Sequence, residues 1–386
     1  MSWRYGRPLP IRMEIESMAG SRVWPKRVLL VSCSVLISAL LVEGLLRLRQ
    51  GLKYGTASTT VYRFGVDPDS GLRVPVANHD TGRIRINSRG FRSPEIAVPK
   101  PSSLVRIAFL GGSTTFCAEV SGNEATWPHL VWRGLQDSYS EVTWDYVNAG
   151  VPGYTLTECH ITLKRRIKPL SPDVIIIYEA TNDLSRDTRE LARQMGLGPA
   201  QADQPSWLGN LSLTWFLLEK NWQIMMRQRE ATSTPRLQFD PRLSRGFHER
   251  LLRLVRDAQV TAPVVVLATF SHKIRRDQTP AQQLRAANTS LFYMPYMSVP
   301  GLLDAFQEYN RVIRMVAEDT GAVLVSDEEA IPGDDRHFND SVHFTDAGAE
   351  LMAGRVLKGL TASKALTKLL SEEKQGQMLS AVGPRL

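Results

Sequence analysis

Cysteine is scarce. Cys33, Cys117 and Cys159 are the only three in 386 residues, too few for a disulfide scaffold and without the paired spacing of a zinc site. At most one bridge can form. Nucleic-acid-binding motifs and blocks of like charge are missing as well. The net charge is +8 and the pI near 9.5, but Lys and Arg are scattered, and basicity without a motif argues against nucleic acid as a partner. Hydrophobic residues make up 43%, so the chain is not disordered by composition and can bury a core. Long apolar runs are lacking, with one exception: residues 28–42, "VLLVSCSVLISALLV", carry no charge, and beyond Glu43 the apolar pattern resumes at Gly44, Leu45 and Leu46. This run is short against the ~20 residues of a bilayer helix, so a secretory signal competes with a membrane span. No A-x-A-like cleavage site follows, and the run continues into "EGLLRLRQG". Both features favour an uncleaved anchor over 28–46. Arg4, Arg7, Arg12, Arg22, Lys26 and Arg27 precede it, whereas only Arg47, Arg49 and Lys53 follow closely. That asymmetry puts residues 1–27 in the cytoplasm and the bulk of the chain outside, in the periplasm or at the cell surface.

Residues 47–103 read as a juxtamembrane segment rich in Arg, Gly, Pro and Asn. Within it "RIRINSRGFRSPE" predicts a short alternating strand turning at Ser88–Gly90, with no evident chemistry. From residue 104 the rhythm changes. Apolar runs at 105–110, 142–147, 174–178, 263–269 and 322–325 alternate with longer helix-like stretches. Such alternation predicts an α/β domain over 104–362, with a parallel five-stranded sheet and helices on both faces. Residues 190–250 interrupt the rhythm with "WLGNLSLTWFLLEKNWQIMMRQRE". This insert could line an acyl pocket, form a lid or lie on a membrane, and its helical apolar period favours packing on the domain. The tail, 363–386, predicts one more amphipathic helix and a frayed end.

In parallel sheets, ligands gather at the carboxyl ends of the strands. After the first strand, "RIAFLGGSTTF" (106–116) bends at Gly111-Gly112 and presents Ser113, either a helix cap or a nucleophile. After the second comes "NAGVPGY" with Gly153, and after the third "EATNDL" with Asn182. "DSVHFTDAG" sets Asp340 three residues before His343, a spacing that lets a carboxylate orient an imidazole base. The backbone N–H groups of Ser113 and Gly153 and the Asn182 amide are donors suited to charge developing on an attacked carbonyl. Each residue also has a plain structural role open to it, as a cap, a turn or a φ > 0 position. His337, three residues after Asp334, rivals His343 as base. Asp334, Asp335, His337, Asp340, His343 and Asp346 together could hold a metal, but a metal site leaves Ser113 and Asn182 without a role. The nucleophile elbow G-x-S-x-G is absent.

These four stretches, in this order, resemble the blocks of the SGNH (GDSL-like) hydrolase superfamily, and "RINSRGFR" with an N-terminal anchor resembles its membrane-attached bacterial members. Two positions depart from the pattern: Gly112 stands where the motif has Asp, and Ala180 where Gly is common. The resemblance implies a flavodoxin-like three-layer fold, with Ser113 as nucleophile, Asp340 and His343 as acid and base, and Ser113, Gly153 and Asn182 as the oxyanion hole. It implies no cofactor and no metal. The expected activity is hydrolysis of an acyl ester, with short chains favoured and a glycan-linked acetyl group or a lipid as candidate substrates. An O-acyltransferase acting on a glycan through the same residues and a catalytically silent glycan-binding module are the alternatives. In an oxidising compartment Cys117 and Cys159 are expected either to pair or to be buried.

Overall fold

The computed structural model describes residues 23–58, 61–196, 206–233 and 238–381. The basic leader up to residue 22, the insert's 197–205 and 234–237, and the last five residues lie outside them.

Seven strands form, numbered in chain order: β1 (Phe64–Val66), β2 (Arg73–Pro75), β3 (Leu104–Gly111), β4 (Thr143–Asn148), β5 (Val174–Tyr178), β6 (Val264–Ala268) and β7 (Val323–Val325). β3 to β7 make one sheet in the order β4-β3-β5-β6-β7, every pairing parallel. The residues explain this. β5 reads Val-Ile-Ile-Ile-Tyr and β6 Val-Val-Val-Leu-Ala, β-branched runs buried along their whole length, as strands covered on both faces must be. Amphipathic helices cover the faces: Trp127–Ser138 connects β3 to β4, Val299–Thr320 connects β6 to β7, and Asp346–Thr361 follows β7. The sheet's first strand in sequence, β3, lies between its second and third, β4 and β5, so the order reverses between β3 and β5. A crevice opens at such a switch point, and there the loops carrying Ser113 and Asn182 emerge. The predicted fold class and all five strands are found.

At the opposite, amino-terminal end of the sheet, a buried arginine ties the centre to the edge. Arg106 on β3 is fully buried and grips Asp145 of β4 through two bonds, Nε–Oδ1 at 2.8 Å and Nη2–Oδ2 at 2.6 Å, while its remaining N–H groups reach the carbonyls of Leu170 and Ala97.

Two expectations need correction. Residues 83–87 form no strand. Ile84 and Ile86 are buried as their alternation requires, but the backbone meets only an isolated bridge between Asp80 and Arg85. Asn87 instead folds the chain back, its Oδ1 accepting the N–H groups of Arg89 and Phe91. The small sheet in this segment is β1 against β2, too short for a pattern to announce. The insert does not pack its aromatic face on the domain. Its helices Trp207–Leu211 and Leu213–Ser233 leave Trp207, Leu211, Trp215, Leu218 and Trp222 exposed, whereas the stretch beyond 242 joins Arg242–Thr261 in the core through Leu243, Phe247 and Leu251. The helix that carries the apolar run 28–46 is longer than the run and covers Val23–Tyr54. Cys117 and Cys159 are both buried and free, with no bridge between them.

Asp145→Ala strands the Arg106 charge inside the sheet. It is expected to cost about 3–5 kcal/mol of stability, read as a lower urea midpoint, with kcat/KM on an ester substrate unchanged well below the melting temperature because the pair lies at the end of the sheet away from the crevice.

Candidate active site

Ser113 opens a helix of four residues, Ser113–Phe116, whose cap position is Gly112 and whose far end is Cys117 in the left-handed conformation at φ 60°. One turn of helix leaves nearly all its carbonyls without intrahelical partners, and here neighbouring elements supply them. Trp127 Nε1 donates to Thr114 O at 2.9 Å, Asn148 Nδ2 to Thr115 O at 2.9 Å, and Arg92 Nη1 to Phe116 O at 2.9 Å and Cys117 O at 2.5 Å. Thr115 Oγ1 donates to Tyr178 O at the end of β5. The turn is therefore held by β4, β5, the following helix and the juxtamembrane segment. Arg92 is buried, and burial lowers its pKa to about 10. Sequence reasoning gave that segment no part in the site. An arginine such as Arg92 in "RGFR" looks like surface, and its burial follows only from the acceptors gathered around it.

Ser113 does not cap the helix with its side chain. Its Oγ lies 2.7 Å from His343 Nε2, and His343 Nδ1 lies 2.8 Å from Asp340 Oδ2. Asp340 Oδ1 accepts the backbone N–H groups of Val342 and His343, both at 2.9 Å, which locks the loop into the shape that joins acid to imidazole. Burial opposes ionisation of Asp340, yet the His343 charge and these hydrogen bonds hold its pKa down to about 2. Burial likewise opposes charging of His343, but Glu119, Asp340 and Glu179 outweigh it and raise its pKa to about 9. The rival histidine is elsewhere: His337 Nδ1 binds Asp334 Oδ1 at 2.7 Å. The other acidic residues of that stretch are separately engaged, Asp335 by Lys273 and Asp346 by the Ser121 N–H. Among the described residues no group of three or more His, Cys, Asp or Glu side chains is arranged to hold a metal.

The three expected donors lie on the segments that follow β3, β4 and β5. Ser113 N–H sits at the first helical position, where no intrahelical acceptor exists. Gly153 adopts φ +84°, a conformation side chains resist, and is exposed in the loop after β4. Arg73 Nη2 holds the carbonyl of Pro152 just before it at 2.5 Å. Asn182 opens the helix after β5; its Nδ2 donates to Tyr154 O at 2.8 Å, which ties it to the Gly153 loop. Gly112 closes the ring, since a Cβ there would lie 2.5 Å from Glu179 Oε2, closer still to Asn182 Nδ2, and 3.2 Å from Tyr154 O. A hydroxyl in line with an imidazole and a carboxylate can attack a carbonyl carbon.

Residues 109–351 match the GDSL-like Lipase/Acylhydrolase family. None of the curated proteins matches the chain. Among solved structures, Axe2, an acetylxylan esterase from Geobacillus stearothermophilus, is similar at 16% identity and a TM-score of 0.41, over 68% of this chain and 96% of that one. LAE5, an alpha/beta hydrolase enzyme from the metagenome of Lake Arreo, Spain, is similar at 15% identity and the same TM-score of 0.41, over 66% and 94%.

His343 yields two opposite pH dependences. Its Nε2 accepts a proton only when the ring is neutral, so turnover through Ser113 is expected to rise with pH towards about 9, the region where the ring loses its proton. Because the folded pKa is raised above the ordinary 6.5, the stabilisation it brings is complete below about 6.5 and is lost as pH climbs through about 9. An NMR titration of the ring and the slope of melting temperature against pH, compared with His343→Ala, check both. A midpoint at or below 6.5 contradicts them.

Proposed function

Because the chain belongs to the GDSL-like lipase/acylhydrolase family and is an ester hydrolase, we propose that it cleaves short-chain acyl esters through an acyl-enzyme on Ser113. The 2.7 Å contact of Ser113 Oγ with His343 Nε2 carries this reading. His343 takes the hydroxyl proton as Oγ attacks the ester carbonyl, and Asp340 holds the Nδ1–H tautomer and stabilises the imidazolium. The oxyanion is met by the N–H groups of Ser113 and Gly153 and by Asn182 Nδ2. Collapse expels the alcohol, protonated by His343. A water activated by the same imidazole then hydrolyses the Ser113 ester, and its proton returns to Oγ. No metal or cofactor takes part in these steps.

The proposal extends to location, with the helix Val23–Tyr54 as a membrane anchor that holds the hydrolase outside the cytoplasm. Its apolar window has a mean hydropathy of 2.3 and none of it is buried within the protein, so its exposed Val and Leu side chains need another apolar environment. The insert's exposed tryptophans support this. Trp215, Leu218 and Trp222 recur at helical spacing on a helix whose first turn is capped by Glu43 of the anchor, which accepts from Leu213 N, Thr214 N and Ser212 Oγ. Tryptophan at that level is typical of the lipid–water boundary.

A fluorophosphonate probe is expected to label Ser113 alone, with labelling and turnover lost in Ser113→Ala. Asn182→Ala should lower kcat by about 10² to 10³, equivalent to about 2.7–4 kcal/mol, with KM little changed. Labelling at another serine would remove the assignment. With an acyl donor and a sugar acceptor present, acid release should exceed acylated sugar at every acceptor concentration; the reverse ratio makes the protein an acyltransferase.

For location, the full chain is expected to stay with membranes through alkaline carbonate and to leave them in detergent, and a reporter fused at the C-terminus should be active only outside the cytoplasm. Release by carbonate overturns the anchor.

A further inference from the structure

The site contains a buried carboxylate that the triad does not use. Glu179 follows β5 directly, three residues before Asn182, and is only 2% exposed. Its Oε1 accepts the Asn182 backbone N–H at 2.9 Å, its Oε2 lies 3.4 Å from Asn182 Nδ2, and the N–H groups of Ala180 and Gly112 also point at the carboxylate. One carboxylate thus binds the backbone on both sides of the crevice, at the residue preceding Ser113 and at the residue carrying the amide donor. The room it occupies exists because residue 112 is glycine: a Cβ there would come within 2.5 Å of Glu179 Oε2 and closer to Asn182 Nδ2. The φ of Gly112 is −93°, which any residue can adopt. Space therefore excludes a side chain at 112, and backbone strain plays no part.

We propose that Glu179 is a positioning residue for the ester hydrolysis, its carboxylate orienting Asn182 and the Gly112–Ser113 turn from the space that an aspartate side chain at position 112 would otherwise fill. Gly112 and Glu179 then form one unit, a side chain moved from the strand β3 turn to the strand β5 turn, and neither position can be exchanged alone. This rests on the reading of Ser113 and Asn182 given above.

Several ionisable groups face this carboxylate. Asp183 follows Asn182, is itself fully buried, and is paired with Arg250 and Arg186, each at 2.9 Å. Cys159 from the helix after β4, Tyr178 at the end of β5 and His343 across the crevice also interact with it electrostatically. Burial and the Asp183 charge push Glu179 up to about 8, against the backbone N–H groups that favour its charged form. When charged, Glu179 in turn raises the pKa of His343.

The test uses the full chain in detergent. Fluorophosphonate labelling of wild-type Ser113 comes first; if it fails, the reading of the site is at fault and not this proposal. With labelling intact, Glu179→Gln is expected to lower kcat about tenfold with KM unchanged, a smaller loss than the 10² to 10³ expected on removing a donor outright. Its acidic limb should also move to lower pH, because a negative charge that favours imidazolium is gone. Gly112→Asp should be nearly inactive on steric grounds. The double variant Gly112→Asp with Glu179→Gly should recover at least tenfold over Gly112→Asp alone. Melting curves establish that each variant is folded; if Glu179→Gln does not fold, the comparison of Gly112→Asp with the double variant decides. Wild-type kcat and an unmoved limb in folded Glu179→Gln, or no recovery in the double variant, overturn the proposal.

Discussion

A single hydrogen bond, His343 Nε2 to Ser113 Oγ, joins residues 230 positions apart, and much of the domain is arranged around bringing them together. Neither side chain can be placed by its own local structure. Ser113 rides on one turn of helix, which would not persist in isolation because nucleating a turn costs more than its few bonds return. It persists because Trp127, Asn148 and Arg92 take the carbonyls it leaves open. His343 rides on a loop without regular structure, shaped by the Asp340 carboxylate binding two successive N–H groups. The rigid element between them is the sheet, whose reversal of strand order between β3 and β5 sets the crevice.

The same crevice gathers negative charge. Asp340, Glu179 and Glu119 all act on His343 and shift it towards the imidazolium, whereas Arg92, buried against the nucleophile turn, spends its donors on backbone carbonyls and Asn123. A site of this sign stabilises the protonated ring that forms as Ser113 gives up its proton. It opposes the neutral ring that must accept it. In the proposed reaction this balance favours the step once the medium, rather than the protein, removes the resting proton. The donors proposed for an oxyanion are backbone and amide N–H groups, which carry no net charge and do not cancel this field.

What the sequence made legible follows from periodicity and from local chemistry. β5 and β6 are continuous β-branched runs and could be read to within a residue, as could the alternation with helices that makes the sheet parallel. The three-residue spacing announced an Asp–His bond at Asp340 and His343 but equally at Asp334 and His337, and both form; the contact with Ser113 Oγ, which no local pattern announces, separates the two. Ser113, Gly153 and Asn182 drew attention because each follows a strand, and the Ser113 side chain does meet His343. Residues 83–87 show the limit: Ile84 and Ile86 face inward as an alternating strand requires, yet a strand also needs a partner backbone, and periodicity says nothing of partners. The insert fails for the same reason. Its apolar stripe is real, but a stripe does not state which surface covers it, and the helix that contacts it, Val23–Tyr54, lies more than 150 residues earlier.

The least legible parts of the site are charges that the fold buries. Arg92 and Glu179 are residue types that ordinarily face water, and nothing within a few positions of either marks it as interior. Arg92 becomes interior because a short turn presents two open carbonyls to it. Glu179 becomes interior because Gly112 leaves a hole that backbone N–H groups line. In both cases the cause is an absence elsewhere in the chain, of helical partners at 116 and 117 and of a side chain at 112. A departure from the family motif at one position is therefore informative about another: the missing Asp at 112 leaves a space and a set of donors, and a carboxylate reaching them from β5 satisfies both demands. Read this way, Gly-Gly-Ser in place of Gly-Asp-Ser is half of a paired exchange, the other half standing sixty-seven residues further on in "EATND".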